Sequence, residues 1–161
     1  MDSQSSGSRK PLGALSRRGR RRTGPRRKPP SPLVLIAEDN VDQQDLYATY
    51  FLWRGFRVQV VQDGEMAVQC AITAPPDVIV MDLSMPILDG WNATHKLKAH
   101  PRTAHVPIVA CTAHAFGPSV ERALIAGCDA YVVKPCLPQD LFREISAVLA
   151  RRAATEHEAS R

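Results

Sequence analysis

From Leu33 onward, short apolar runs alternate with longer stretches in which apolar positions recur at helical spacing. Four of the runs, LVLIA (33–37), VIVM (78–81), PIVAC (107–111) and YVVK (131–134), are mostly β-branched and lack polar alternation. That is the pattern of strands buried on both faces of a parallel sheet. FRVQVV (56–61) alternates apolar and polar residues and reads as an edge strand. Helical patterns fill residues 42–54, 65–73, 90–99, 118–126 and 138–151. In the last, Leu141, Ile145, Val148 and Leu149 form one apolar stripe behind Pro138, and Gly127 stands where a C-terminal glycine cap would close the fourth. The order is (βα) five times over, which predicts an open α/β fold with helices on both faces of a parallel sheet. The last helix is expected to end near Arg152, leaving AATEHEASR (153–161) as a frayed tail.

Charge divides the chain. Residues 1–32 hold ten Lys and Arg against Asp2 alone, whereas the remainder has eleven basic and fifteen acidic residues. A segment so rich in Ser, Gly, Pro and Arg cannot bury enough surface to offset its ordering entropy, so it reads as a disordered basic tail before a domain at 33–152. Its cations could attract DNA or an anionic membrane, although a solvated extension is the simpler expectation. No apolar run approaches the length of a membrane span, and no apolar segment follows the basic N-terminus to make a secretory signal. Cys70, Cys111, Cys128 and Cys136 show no CxxC spacing and read as reduced core thiols, consistent with a cytoplasmic location.

In an open α/β sheet, ligands bind beyond the carboxyl ends of the strands. Glu38, Asp39 and Asn40 follow the first strand, Asp82 the third and Thr112 the fourth, while the fifth delivers Lys134. The second ends in a plain turn, Gln62-Asp63-Gly64. Singly, each has a bland reading: an Asp after a strand caps a helix, and a Lys before Pro is a solvated loop charge. Together, at successive strand ends, they make one rim of three carboxylates, a hydroxyl and an ammonium. Crowded carboxylates raise one another's pKa unless a cation intervenes, and oxygen ligands suit Mg²⁺. Asp39 and Asp82 could hold it, with Glu38 acting through water. With Lys134 and Thr112 opposite, the set fits phosphoryl transfer to a carboxylate. The chain has no Gly-rich phosphate loop, GxSxG or HExxH, which disfavours nucleotide hydrolysis and serine or zinc catalysis. His95, His100 and His105 do not share a helix face and read as solvated, and Trp91 as a packing residue.

LVLIAEDN, VIVMDLSMPILDGW, VACTAHA and CDAYVVKP resemble, in order and spacing, the four signature blocks of response-regulator receiver domains. The resemblance spans about residues 33–150. It implies a flavodoxin-like fold of strand order 2-1-3-4-5, with Asp82 phosphorylated from the phosphohistidine of a sensor histidine kinase or phosphotransfer protein. It also implies Mg²⁺ bound by Asp39, Asp82 and the backbone carbonyl of Ser84, with Glu38 assisting. Thr112 and Lys134 would contact the phosphoryl group, and Tyr131 would be the switch aromatic. The Lys134–Pro135 bond is expected to be cis. Ser84 and His114 occupy two variable positions thought to tune phosphoryl lifetime. The expected activity is a stand-alone switch that docks a downstream protein and catalyses only its own phosphorylation and dephosphorylation. A phosphorylation-independent pseudo-receiver and a Mg²⁺-dependent aspartyl-phosphate phosphatase or phosphotransferase are the alternatives. The latter typically carries Asp-x-Asp, where this chain has Asp82-Leu83-Ser84.

Overall fold

The computed structural model describes residues 30–113 and 118–159, so the basic segment and His114 lie outside the described residues. Five strands, β1 (Leu33–Ala37), β2 (Arg57–Val61), β3 (Val78–Asp82), β4 (Ile108–Thr112) and β5 (Ala130–Val133), alternate with five helices. These are α1 (Val41–Trp53), α2 (Gly64–Thr73), α3 (Gly90–Ala99), α4 (Pro118–Ala126) and α5 (Pro138–Ala159). All strand pairs are parallel and the sheet order is β2-β1-β3-β4-β5.

Successive residues of a strand point to opposite faces, so each central strand feeds two separate cores. Leu35, Ala37, Ile79, Met81, Ile108 and Ala110 pack with Ala67, Ala71, Ala93, Leu97 and Ala123 of α2, α3 and α4. Val34, Ile36, Val78, Val80, Val109 and Cys111 pack on the other face with Tyr47 and Phe51 of α1 and Leu141, Ile145 and Val148 of α5. Both faces being covered, β1, β3 and β4 show no polar alternation in sequence. The edge position of β2 matches its alternating pattern.

Two expectations need correction. β5 is not buried on both faces: it is the other edge strand, partly buried, with Tyr131 exposed. Its Ala130 and Val132 pack on the side covered by α1 and α5, while Tyr131 on the opposite side stays exposed. Nor does the last helix stop near Arg152. It runs to Ala159 as α5, through residues dominated by Ala and Glu, which favour helix. An Arg152–Glu156 ion pair at 2.9 Å supports the extension, and the Arg152 guanidinium also donates to the Asp77 carbonyl at 3.3 Å.

Side-chain oxygens cap the helix starts. Asn40 accepts from the Gln43 amide, Asp63 from Met66 and Asp89 from Asn92, at 3.0, 2.8 and 2.9 Å. Gln62-Asp63-Gly64 is therefore more than a plain turn. Gly127 closes α4 at φ 103°, where a side chain would be strained. No helix among the described residues is long and apolar enough to cross a membrane.

Candidate functional site

The strands end together, and their last residues meet. Ladder hydrogen bonds continue one residue past β1 and β5: the Glu38 amide donates to the Val61 carbonyl at 3.1 Å, and the Lys134 amide to Thr112 at 2.7 Å. Glu38 and Lys134 are thus held with strand geometry although they fall just outside the strands. Glu38, Asp82 and Thr112 are all buried, at 2%, 5% and 3% exposure, while Asp39 is exposed. One carboxylate oxygen from each of Glu38, Asp39 and Asp82 lies within 4.8 Å of the other two. The Lys134 ammonium bridges the two buried carboxylates, at 2.8 Å to Glu38 Oε2 and 2.9 Å to Asp82 Oδ2.

Backbone amides fix the remaining oxygens. Asp82 Oδ1 accepts from the Ser84 amide at 3.0 Å, and Glu38 Oε1 from the Asn40 amide at 3.2 Å. Gln44 of α1 donates its side-chain amide to the Glu38 carbonyl. The Leu83 amide donates to Cys111 at 3.0 Å and the Gly90 amide to Leu83 at 3.1 Å, which folds the β3–α3 connection back over the site. Gly90 has to be glycine for this approach, since a β-carbon there would overlap the Asp82 carbonyl oxygen.

The electrostatics show an unbalanced pocket. Burial raises the Glu38 pKa above the usual carboxylate value, and the charge of Asp82 adds to this against hydrogen bonds from Lys134 and the Asn40 amide. Burial alone would lower the Lys134 pKa. Its hydrogen bonds to Asp82 and then Glu38, with their charges, overcome that and raise it above the ordinary lysine value. The ammonium is firmly held, yet Glu38 still pays for being charged, because one monovalent cation serves two buried carboxylates and a third lies at the rim. Such a donor set, all oxygen and short of positive charge, fits a small divalent ion.

The structure brings together the residues expected from the strand ends: Glu38, Asp39, Asp82 and Lys134 meet in one cleft, Thr112 ends β4 beside it with its carbonyl accepting from the Lys134 amide, and the Lys134–Pro135 bond is cis. Ser84 contributes its amide to Asp82. Tyr131 stands apart. It is the second residue of β5, in register with Ala110, and so lies back along the strand from the site. Nothing in the local sequence singles out Gln44 or Gly90. A glutamine at a helical position and a glycine after Asp reveal their contacts only once α1 and α3 are docked. A cluster of Tyr47, Cys111 and Cys136 beneath Lys134 also escaped notice, because its members are 64 and 25 residues apart in the chain.

Comparison with known proteins accords with this geometry. The family model "Response regulator receiver domain" matches residues 34–146. The transcriptional regulatory protein PrrA of Mycobacterium tuberculosis is 34% identical over 125 residues, which cover 78% of this chain and 53% of PrrA. The polar-differentiation response regulator DivK of Brucella anthropi is 33% identical over 102 residues, covering 63% of this chain and 83% of DivK. This chain spans about half the length of PrrA and a larger share of DivK. Among solved structures, the receiver domain of the sensor histidine kinase PA1611 from Pseudomonas aeruginosa superposes with a TM-score of 0.70 at 34% identity, covering 74% of this chain and 98% of that domain. That crystal structure has a magnesium ion coordinated in its active site cleft. With its strand order, its acidic cleft and a match over most of its length, the chain belongs to the response regulator receiver domain family.

Proposed function

We propose that Asp82 is the phosphoacceptor of a phosphorylation-driven switch and that the chain acts by docking a downstream protein in one of its two states. The observation that carries this reading is the Lys134 ammonium bridging Asp82 and Glu38 beside the exposed Asp39. Asp39, Asp82 and the Ser84 carbonyl would hold Mg²⁺, with Glu38 assisting through water. Bound there, the ion would neutralise phosphate oxygens as negative charge gathers on them.

The residues of the chain do the rest. The Ser84 amide and Lys134 orient the Asp82 carboxylate before the donor arrives. One Asp82 oxygen attacks phosphorus, the bond from phosphorus to the imidazole nitrogen of a kinase or phosphotransfer phosphohistidine breaks, and an acyl phosphate forms. Lys134 then moves from the spent carboxylate charge to a phosphoryl oxygen, and the Thr112 hydroxyl donates to another. Drawing Thr112 inward vacates space between β4 and β5 into which Tyr131 turns. That changes the face presented by α4 and β5, and a partner that prefers one form shifts the equilibrium. Hydrolysis of the acyl phosphate resets the switch. External substrate is not turned over.

The test is incubation with acetyl phosphate and Mg²⁺, followed by intact mass measurement. A stable gain of one phosphoryl group, lost in Asp82→Asn, is expected. Sustained hydrolysis of acetyl phosphate would indicate a phosphatase, and the absence of both labelling and turnover would indicate a pseudo-receiver.

A further inference from the structure

Beneath the acidic cleft lies a second reactive cluster that phosphoryl transfer does not use. Cys111, the penultimate residue of β4, is buried at 1% exposure in the apolar cluster against which Cys136 packs, with its thiol set toward the Cys136 sulfur. Cys136 lies in the short connection from β5 to α5 and is only half-buried. Tyr47 of α1, itself 2% exposed, places its hydroxyl 3.1 Å from the Cys136 sulfur. One sulfur therefore stands between buried polar groups inside the protein and solvent outside. The other two thiols differ. Cys70 is half-buried on α2, and Cys128 is buried with a weak contact to the Thr94 hydroxyl at 3.7 Å.

We propose that Cys136 and Cys111 form a peroxide-sensitive thiol pair, Cys136 being the attacking sulfur and Cys111 the resolving one, which closes to a disulfide next to the phosphoacceptor cleft. The arrangement supplies what each role requires. The attacking sulfur must be a thiolate within reach of solvent, and the resolving sulfur must be near and protected. The hydrogen bond from Cys111 lowers the Cys136 pKa to about 6 against the effect of burial, and the Tyr47 hydroxyl and the Lys134 charge add to that lowering. That lowering favours the thiolate at Cys136 over the thiol.

The chemistry balances with hydrogen peroxide as oxidant. The Cys136 thiolate attacks one peroxide oxygen, the O–O bond breaks, and Cys136 becomes a sulfenic acid as hydroxide leaves and takes up a proton. The Cys111 sulfur then attacks the Cys136 sulfur. The S–S bond forms, the S–O bond breaks, and hydroxide departs with the Cys111 proton as water. The two sulfurs lose two electrons in total, which reduce the peroxide to two waters. A dithiol restores the pair.

The consequence for signalling rests on the reading of the acidic cleft given above. Cys111 precedes Thr112, and Cys136 follows Lys134 by two residues. Bonding the sulfurs draws the connection after β5 onto the end of β4, and Lys134 moves with it away from Asp82 and Glu38. Phosphoryl transfer to Asp82 should then slow several-fold.

The test uses the full chain, reduced and freed of reductant, exposed to hydrogen peroxide and quenched with N-ethylmaleimide. Digestion without reduction and tandem mass spectrometry locate the oxidised sulfurs, with fragmentation separating Cys128 from Cys136, which share a tryptic peptide. A Cys111–Cys136 linkage should form on the order of tenfold faster than Cys70 is oxidised. Cys111→Ser should stop at a Cys136 sulfenic acid trapped by dimedone, and Cys136→Ser should leave Cys111 reduced. Oxidation of Cys136 no faster than Cys70, or without linkage to Cys111, overturns the thiol pair. Labelling by acetyl phosphate is measured on the same samples. Equal rates for the disulfide and dithiol forms overturn the coupling. No labelling of the dithiol form overturns the phosphoacceptor reading while the mapped disulfide still stands.

Discussion

Replacing Lys134 with alanine removes the one cation among the described residues that contacts both buried carboxylates, and its effect on stability follows from the geometry. At 2.8 and 2.9 Å, and with an effective dielectric constant near 20, each contact is worth about 6 kcal/mol of gross attraction. Most of that offsets the cost of bringing three charged groups out of water. What the variant loses is the compensation of two carboxylates that remain buried, and breaking such a pair typically costs about 3–5 kcal/mol. The low end applies here, because burial already raises the Glu38 pKa, so that once the ammonium is gone it can take up a proton instead. A loss of about 3 kcal/mol corresponds to a fall of about 10 °C in Tm for a domain of this size. Melting followed by circular dichroism in EDTA would measure it. The same melts in millimolar Mg²⁺, against sodium at matched ionic strength, carry the sharper expectation. Lys134 competes with a dication for Asp82, so the rise with Mg²⁺ should be larger in Lys134→Ala than in the unaltered chain. Adding Glu38→Gln should recover part of the loss, since one orphaned charge is gone. A Lys134→Ala variant that melts within about 2 °C of the parent in EDTA, or that gains no more from Mg²⁺ than the parent does, would refute this account of the pocket.

In the unaltered chain, Mg²⁺ at ten times its dissociation constant should add about 1.4 kcal/mol to stability by mass action, and Asp39→Ala should erase the difference between magnesium and sodium melts. Gly90→Ala should cost about 2–3 kcal/mol in chemical denaturation, because its methyl collides with the Asp82 carbonyl. It should also slow labelling by acetyl phosphate; unaltered stability and labelling would show that the β3–α3 connection yields easily. The path to the surface can be followed by NMR with beryllofluoride as phosphoryl mimic. Shifts along residues 113–134 are expected in the parent and should shrink in Thr112→Ala, while Tyr131→Ala should bind the mimic yet alter the pattern. Undiminished shifts in Thr112→Ala would place the coupling elsewhere.

Much of this architecture is legible in the chain because parallel strands covered on both faces leave uninterrupted apolar runs. The residue that breaks such a run is forced to the rim, which is how Asp82, Thr112 and Lys134 declare themselves. The same logic misreads β5. YVVK looks like a buried strand, but a run so short holds no record of whether another strand lies beside it. The end of α5 was equally hidden, since AATEHEA is polar and the Arg152–Glu156 pair depends on the helix already being formed. Contacts such as Gln44 with the Glu38 carbonyl, 6 residues away, or Tyr47 with Cys136, 89 residues away, depend on how α1 docks, and no apolar pattern encodes that.

The alternation that feeds two cores extends to the cleft itself. Asp82 continues the parity of Val78 and Val80, Glu38 that of Val34 and Ile36, and Lys134 that of Ala130 and Val132, all on the layer covered by α1 and α5. Thr112 continues the parity of Ile108 and Ala110, on the layer covered by α2, α3 and α4. On the reading proposed above, the phosphoacceptor with its Glu38 and Lys134 partners and the hydroxyl that would sense the phosphoryl group are therefore rooted in different halves of the protein, back to back across one sheet. On that reading, substitutions beneath α4 would retune how the message is broadcast without disturbing how it is written, whereas changes beneath α1 and α5 would act on the writing first.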